Sequence, residues 1–177
     1  MQAVVFLLDA TVGFFCALFL LRFMMQATRV SFVGQLGRFV VSLTDWAVRP
    51  LRRVIPGVGG FDWASLVAAF ALQLVLATLL VGLTGPGLAA DFGTLAVTVA
   101  WFALRSLLRL AIYILIGALI LQAVLSWINP YSPLAAPASQ LTRPLLDPVR
   151  RFVPPISGID LSPLVVILLL QALLMLL

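Results

Sequence analysis

Four long apolar stretches constrain the fold of this chain more than any other feature of the sequence. A helix of about 20 apolar residues crosses the ~30 Å hydrocarbon core of a bilayer. Hydrophobic residues make up 63% of the chain and charged residues only 10%, whereas a soluble domain is about a quarter charged. The sequence therefore predicts an all-α membrane protein with four transmembrane helices, at about 4–25, 62–83, 110–127 and 160–177.

The third apolar stretch is longer than a single span. It covers 94–128 and is interrupted by Arg105 and Arg109, and neither Pro nor Gly occurs at 94–116. The part before Arg105 is too short to cross a bilayer alone. We therefore predict one long helix whose first part emerges from the membrane before the spanning part at 110–127.

The distribution of arginine predicts the orientation of the spans. All eleven basic residues are Arg, and eight of them lie in two segments that we call the first elbow (26–60) and the second elbow (129–157). Cytoplasmic loops carry an excess of basic residues. We therefore predict cytoplasmic elbows and both termini outside, although Arg105 and Arg109 run against this rule.

The sequence contains one unit twice. Residues 43–73 align with 141–171 at an offset of 98 and are identical at more than a third of positions, and Gln26 aligns with Gln122 at an offset of 96. Each unit consists of a span, an elbow and a span. Because two spans return the chain to its starting side, the two units are predicted to be parallel, unlike the inverted repeats of many transporters. The predicted division is a first repeat at 1–84, a link at 85–106 and a second repeat at 107–177.

Apolar side chains recur at helical spacing in the first elbow. Polar residues including Asp45 and Arg49 mark the opposite face, and their i,i+4 spacing suits an ion pair. This pattern predicts an interfacial amphipathic helix. The second elbow is rich in proline, so we expect its helix to be shorter and broken. The predicted apolar face of the first helix consists of Leu36, Phe39, Val40, Leu43 and Ala47.

Several arginines and aspartates stand at the inner ends of the predicted spans. Such arginines typically anchor the protein in the headgroup layer. The alternative is that they form a specific site for an anionic lipid or a protein partner, because guanidinium groups bind phosphate bidentately. Asp62 and Asp160 open spans two and four and are predicted helix caps, with Arg52 or Arg53 as a further partner for Asp62. The predicted lipid or partner contacts are Arg49, Arg52, Arg53, Arg150 and Arg151.

Six polar residues lie within or beside the apolar stretches and need partners there. Gln73 and Gln171 are predicted to join helices of the two repeats by hydrogen bonds, and the alternative is a polar lining for a pore. Asp9 is expected to reach outward or to meet Arg105 or Arg109. Arg22 has no arginine at its second-repeat position. The intramembrane polar residues are Asp9, Arg22, Gln26, Gln73, Gln122 and Gln171.

The residues used in catalysis and cofactor binding are scarce. The chain has no His and one Cys, Cys16, so the commonest general base and metal ligand is missing. The glycines at 57–60 lack the Lys-Ser/Thr that follows a phosphate loop. We therefore predict that the chain is not an enzyme, holds no cofactor or metal, and has no nucleic-acid partner.

The repeated elbow motif resembles a known family. The segment P-L-R-R-V-I-P-G-V-G-G-F-D at 50–62, its second copy P-V-R-R-F-V-P-P-I-S-G-I-D at 148–160, and L-L-R-F-M-M-Q-A-T-R-V at 20–30 resemble the YggT family of small bacterial inner-membrane proteins. The resemblance implies a membrane accessory protein with a role in envelope homeostasis or in osmotic or ionic stress. YlmG relatives imply an alternative role as an assembly factor for cell division or cytochrome complexes.

The polar residues of the spans leave another functional alternative. A small oligomeric channel or ion-flux modulator would place Gln73, Gln171, Asp9 and Arg109 on its lining. The expected partners are anionic membrane lipids and either further copies of the chain or another membrane protein.

Overall fold

A computed structural model describes residues 2–84, 92–153 and 160–177. These residues form six α-helices, which confirms the predicted all-α class. The helices are α1 (Gln2–Ala27), α2 (Gln35–Val54), α3 (Trp63–Thr84), α4 (Phe92–Ile128), α5 (Ala135–Arg150) and α6 (Ser162–Leu176).

Three of these helices are long and apolar enough to cross a membrane. They are α1, α3 over Trp63–Gly82, and α4 over Gly93–Ile128. Helix α6 is equally apolar but has 15 residues, which is about 22 Å at 1.5 Å per residue. The structure therefore has three membrane-length helices and one shorter apolar helix within the described residues.

Helix α4 is continuous over 37 residues, which confirms the predicted single long helix. Its first part packs against another helix, because Val99 and Ala103 form a cluster with Ala77 of α3. Whether this first part emerges from the membrane ahead of the span stays a prediction. Arg105 and Arg109 lie near the middle of α4.

Two hydrophobic clusters hold the elbows against the apolar helices. In the first, Phe19 and Leu20 of α1 pack with Val48 of α2 and with Ala68 and Ala69 of α3. The second cluster is built from α4, α5 and α6. Five of its residues stand at the repeat offsets of 96 and 98 from residues of the first cluster: Leu115, Ile116, Leu146, Val166 and Ile167.

The amphipathic helix of the first elbow is present but turned relative to the prediction. Phe39, predicted on the apolar face, is mostly exposed. Asp45, predicted on the polar face, is half-buried against α1. The reason is that the helix turns two polar residues toward a buried arginine of α1, as described below. The buried residues of α2 are Gly37, Val40, Thr44 and Val48.

The second elbow also contains a helix. Helix α5 has 16 residues against 20 in α2, so the expectation of a shorter helix is confirmed. The expectation of a broken helix is wrong, because α5 continues through Pro144 and Pro148. Leu146 between these prolines is fully buried against α4 and α6, and this packing offsets the backbone hydrogen bonds that proline cannot make.

Candidate functional site: a buried ion-pair network and a polar cavity

Asp62 is the centre of a buried ion-pair network at the start of α3. Its side chain is 1% exposed. Oδ2 lies 2.6 Å from Nη2 of Arg52 and 3.4 Å from Nε of Arg22, and it also accepts a 2.7 Å hydrogen bond from the Ser65 hydroxyl. Oδ1 accepts the backbone N–H of Ser65 at 3.4 Å, which is the contact of an N-cap residue with the third residue of its helix. One carboxylate thus caps α3 and joins it to α1 and α2.

Arg22 connects α1 to the first elbow from inside the protein. Its Nη1 donates hydrogen bonds to Oγ1 of Thr44 at 2.7 Å and to Oδ1 of Asp45 at 2.9 Å. Thr44 is fully buried and donates in turn to the Val40 carbonyl. The sequence identified Arg22 as an intramembrane polar residue but not its partners, because no helical spacing relates it to Asp45 or Asp62.

The network pairs positive with negative groups around the buried Arg22 and Asp62. Arg22 and Arg52 face Asp45 and Asp62, and the exposed Arg49 lies 3.7 Å from Asp45 at the edge of the network. Burial alone would raise the pKa of Asp62, but hydrogen bonds from Arg52 and Ser65 and the charges of Arg52 and Arg22 outweigh it and hold the pKa below its ordinary value. The same hydrogen bond to Asp62 raises the pKa of Arg52. Asp62 and Arg52 are therefore both charged at neutral pH.

The second elbow repeats only part of this network. Nε and Nη2 of Arg150 lie 2.9 Å and 2.8 Å from Oδ2 of Asp160. The Asp160 side chain is 38% exposed, and the position that corresponds to Arg22 is occupied by Ala118. Burial raises the pKa of Asp160, and contacts with Ser162 and Arg150 lower it to a value below the ordinary one.

Asp160 was predicted to cap the last helix, and its place differs slightly from that of Asp62. Helix α6 begins at Ser162 with Leu161 at the cap position, and no side chain bonds there as a cap. The Asp160 carboxylate precedes the cap position and accepts the backbone N–H of Ser162 at 2.9 Å. The predicted cap position is therefore wrong by one residue, since Leu161 and not Asp160 directly precedes α6.

Two glutamines at matching positions of the repeats attach the elbows to α1 and α4. Gln26 accepts a 3.3 Å hydrogen bond from Nη2 of Arg52. Gln122 accepts one from Oγ1 of Thr142, a fully buried residue that matches Thr44 of the first repeat. Both predicted polar residues thus bind an elbow rather than a residue deeper in the membrane.

The structure separates the adjacent arginines of each elbow motif. Arg52 and Arg150 bind the aspartates described above. Arg53 and Arg151 are exposed, and neither forms an ion pair with any other residue in the described part of the chain. Arg49 is also exposed and lies 3.7 Å from Asp45, its predicted i,i+4 partner. All five predicted lipid or partner contacts are exposed, but Arg52 and Arg150 are held by aspartates.

A polar cavity lies among the three membrane-length helices, away from the elbows. It consists of two adjoining parts of about 230 and 250 Å³ that share Asp9, Gln73 and Ser106. Arg109 and Tyr113 line the second part. Asp9 and Arg109, both in the described part of the chain, form no ion pair across it.

The two glutamines predicted as a pair have different surroundings. Gln73 lines the cavity, and its Oε1 accepts a 3.5 Å hydrogen bond from Sγ of the buried Cys16 on α1. Gln73 therefore binds a helix of its own repeat and not the other repeat. Gln171 is exposed on α6 and is absent from the cavity lining.

The described residues hold no group of three or more His, Cys, Asp or Glu side chains that could bind a metal ion. The buried network consists of mutually neutralised arginines and aspartates, which join helices. The cavity offers carboxylate, amide, hydroxyl and guanidinium groups, which can bind a small polar or charged species.

Comparison with known proteins places the chain in a family. The model of the family described as CCB3/YggT matches residues 1–83 and 101–177. The protein YggT of Escherichia coli K12 is 34% identical over 172 residues, which cover 96% of this chain and 86% of the relative. An uncharacterized protein of Pseudomonas aeruginosa is 37% identical over 164 residues, covering 92% and 81%.

A third relative, an uncharacterized protein of Vibrio alginolyticus, is 33% identical over 175 residues, covering 97% of this chain and 91% of its own. No solved structure matches the chain. The family match takes in both sequence units, including both arginine motifs and the aspartates that they bind. The chain therefore belongs to the CCB3/YggT family.

Proposed function

We propose that the chain spans the bacterial inner membrane four times as two parallel repeats, with both elbows on the cytoplasmic side and both termini outside. The support is the correspondence of the two hydrophobic clusters at the repeat offsets. In this arrangement α6 is the fourth span, and eight arginines lie on the inner side, as the positive-inside rule requires. The aromatic residues Trp46, Trp63, Trp127 and Tyr131 are exposed near the inner boundary, where aromatic belts occur.

Within this topology, the protein acts as a non-enzymatic accessory protein through contacts with lipids and other membrane proteins. The observation that carries this proposal is the Arg22–Asp62–Arg52 network, which fixes the first elbow to two spans. A rigidly held elbow presents Arg49 and Arg53 at the headgroup layer, and the second elbow presents Arg151 there. Guanidinium groups in that layer suit phosphate headgroups and acidic protein segments.

The physiological setting that fits a family member of this kind is envelope homeostasis or tolerance of osmotic or ionic stress. The resemblance to YggT supports this setting. A role in assembling division or cytochrome complexes uses the same surface and predicts a defined protein partner. The two roles differ in what the elbow surface binds.

The test is purification from native membranes with lipid and protein mass spectrometry. Replacing Arg53 and Arg151 together by Ala is expected to lower the ratio of anionic to zwitterionic co-purified lipid several-fold, while Arg38→Ala with Arg143→Ala serves as a matched control with the same loss of charge. A deletion strain that carries the first variant should also grow more slowly than the control after hyperosmotic shock. Unchanged lipid content and growth would show that these arginines only fix topology.

The polar cavity favours a second candidate function, an ion-flux modulator. Asp9, Gln73 and Arg109 were expected on the lining of a pore, and all three line the cavity. Ionisable residues inside a membrane protein commonly mark ion pathways. In this case the protein would conduct or regulate ions through the space between α1, α3 and α4.

Flux in proteoliposomes tests this second function. Gln73→Leu should change flux, whereas Thr78→Val, a polar-to-apolar change on the exposed side of the same helix, should leave it as in the wild type. No flux of wild-type protein at any voltage or osmotic gradient would retire the ion-flux function and leave the accessory function standing.

A further inference from the structure

Helix α3 uses two different faces for packing. On one face, Ala68, Ala69 and Leu72 belong to the cluster with α1, α2 and the middle of α4. On the other face, Leu74 and Ala77 belong to a cluster with the first part of α4, and Phe70 contacts both clusters. The second contact joins the second span of the first repeat to the first part of α4, just before the predicted start of the second repeat.

Helix α6 uses only the first of these faces within the chain. Its Val166, Ile167 and Leu170, which stand at an offset of 98 from the first face of α3, pack against α4 and α5. The residues at the same offset from the second face, Leu168, Ala172 and Met175, are exposed. Leu168 is 57% exposed and Met175 is 88% exposed.

Helix α1 carries the complementary exposed face. In α4 the residues that pack on α3 include Val99 and Ala103, and the offset of 96 places Ala3 and Leu7 at these positions in α1. Both are exposed, and the exposed residues Ala10 and Phe14 continue the same stripe at helical spacing. The exposed faces of α1 and α6 therefore correspond, by the repeat offsets, to the two faces that pack together between α4 and α3.

We propose that a second copy of this chain packs its α1 against α6, through the stripe Ala3, Leu7, Ala10 and Phe14 on one copy and the face Leu168, Ala172 and Met175 on the other. The proposal rests on the parallel-repeat topology proposed above. Copies in one membrane share one orientation, so α1 of a neighbour runs antiparallel to α6. Helices α3 and α4 also run antiparallel, since the end of α3 packs beside the start of α4.

A polar residue on the same side of α6 also needs a partner. Gln171 lies beside this face, is exposed, and makes no hydrogen bond with any residue that the structure describes. An amide left facing hydrocarbon is costly, and helix association in membranes is commonly assisted by such side chains. Because the two copies contribute different faces, the contact is heterologous and builds rings or longer assemblies rather than a closed two-fold dimer.

Disulfide cross-linking between separately tagged chains tests the contact. In a Cys16→Ser background, one chain carries Ala172→Cys and the other carries Leu7→Cys, and both are expressed in the same cells. Oxidation should join the two tags in one product. The matched control replaces Ala172→Cys with Leu173→Cys, at the neighbouring position, which is 45% exposed on a different side of α6, and should give at least fivefold less product.

The separate tags exclude a cross-link within one chain. Equal cross-linking of Ala172→Cys and Leu173→Cys, or no product where both cysteines react with a maleimide, would overturn the proposed contact. Labelling of Arg53→Cys and Arg151→Cys measures the topology independently. If the cross-link fails while both elbow cysteines are labelled from the same side of the membrane, the contact alone is contradicted. The proposed topology and function then remain in place.

Discussion

Asp62 and Asp160 stand at matching positions of the two repeats but should differ greatly in their effect on stability. Asp62 is 1% exposed and binds two arginines, whereas Asp160 is 38% exposed and binds one. The change Asp→Asn keeps the shape of each side chain and removes its charge. The comparison therefore isolates the effect of burial on the same chemical interaction.

The expected magnitudes follow from these environments. Removing one partner of a buried ion pair costs about 3–5 kcal/mol, and we expect the lower end for Asp62→Asn because Arg22 keeps its 2.9 Å contact with Asp45. An exposed ion pair contributes about 0–1 kcal/mol, which sets the expectation for Asp160→Asn. At about 2–4 °C per kcal/mol for a chain of this size, Asp62→Asn should lower Tm by roughly 6–12 °C and Asp160→Asn by at most about 4 °C.

Cys16 provides the assay. It is the only cysteine in the chain and is fully buried between α1 and α3. A dye that becomes fluorescent on reaction with thiols therefore reports the opening of this contact as the detergent-solubilised protein is heated. Equal Tm shifts for the two variants, or a larger shift for Asp160→Asn, would refute the reasoning that burial by Arg22 sets the stability of the first elbow.

Three further predictions use the same assay. The folded-state pKa values of Asp62 and Asp160 lie below the ordinary 3.8, so the stabilisation that these carboxylates provide is present above pH 3.8 and is lost as the pH falls through the folded-state values. Tm should therefore stay level from pH 7 to about 5 and fall below pH 3.8. A Tm that falls between pH 7 and 5 would contradict this assignment. Thr44→Val removes a hydrogen-bond acceptor 2.7 Å from the buried Arg22 and should cost about 1–3 kcal/mol; a variant as stable as the wild type would mean that Arg22 does not depend on this hydroxyl. Gly37→Ala would place a Cβ 2.4 Å from the Phe32 backbone and should destabilise the protein by about 1–3 kcal/mol. Gly82→Ala, the control, has open space around its Cβ position and should leave the stability unchanged. Equal Tm values for the two variants would argue against close packing at Gly37.

Periodicity and composition predicted the features that depend on local sequence. The apolar stretches predicted the helical class and the single long helix α4, and the spacing of Asp45 and Arg49 predicted their ion pair. The duplicated motif indicated which positions correspond, and corresponding positions such as Val48 and Leu146 are fully buried in the two clusters.

The features that the sequence did not predict depend on contacts between distant helices. The partners of Arg22 lie on two other helices, and the inward turn of Asp45 follows from that arginine rather than from the apolar pattern of α2. Gln73 and Gln171 stand at matching positions of the two repeats, yet one lines a cavity and the other is exposed, because α3 has helices on two sides. Only the packing distinguishes such pairs.

The most direct test of the proposed architecture is the side of the membrane on which each elbow lies. In a Cys16→Ser background, Arg53→Cys and Arg151→Cys each place one exposed thiol on an elbow, and a membrane-impermeant maleimide is applied to intact cells and to inverted membrane vesicles. Two parallel repeats with cytoplasmic elbows predict that both thiols are protected in intact cells and labelled in inverted vesicles. Labelling of the two positions from opposite sides of the membrane would contradict the account.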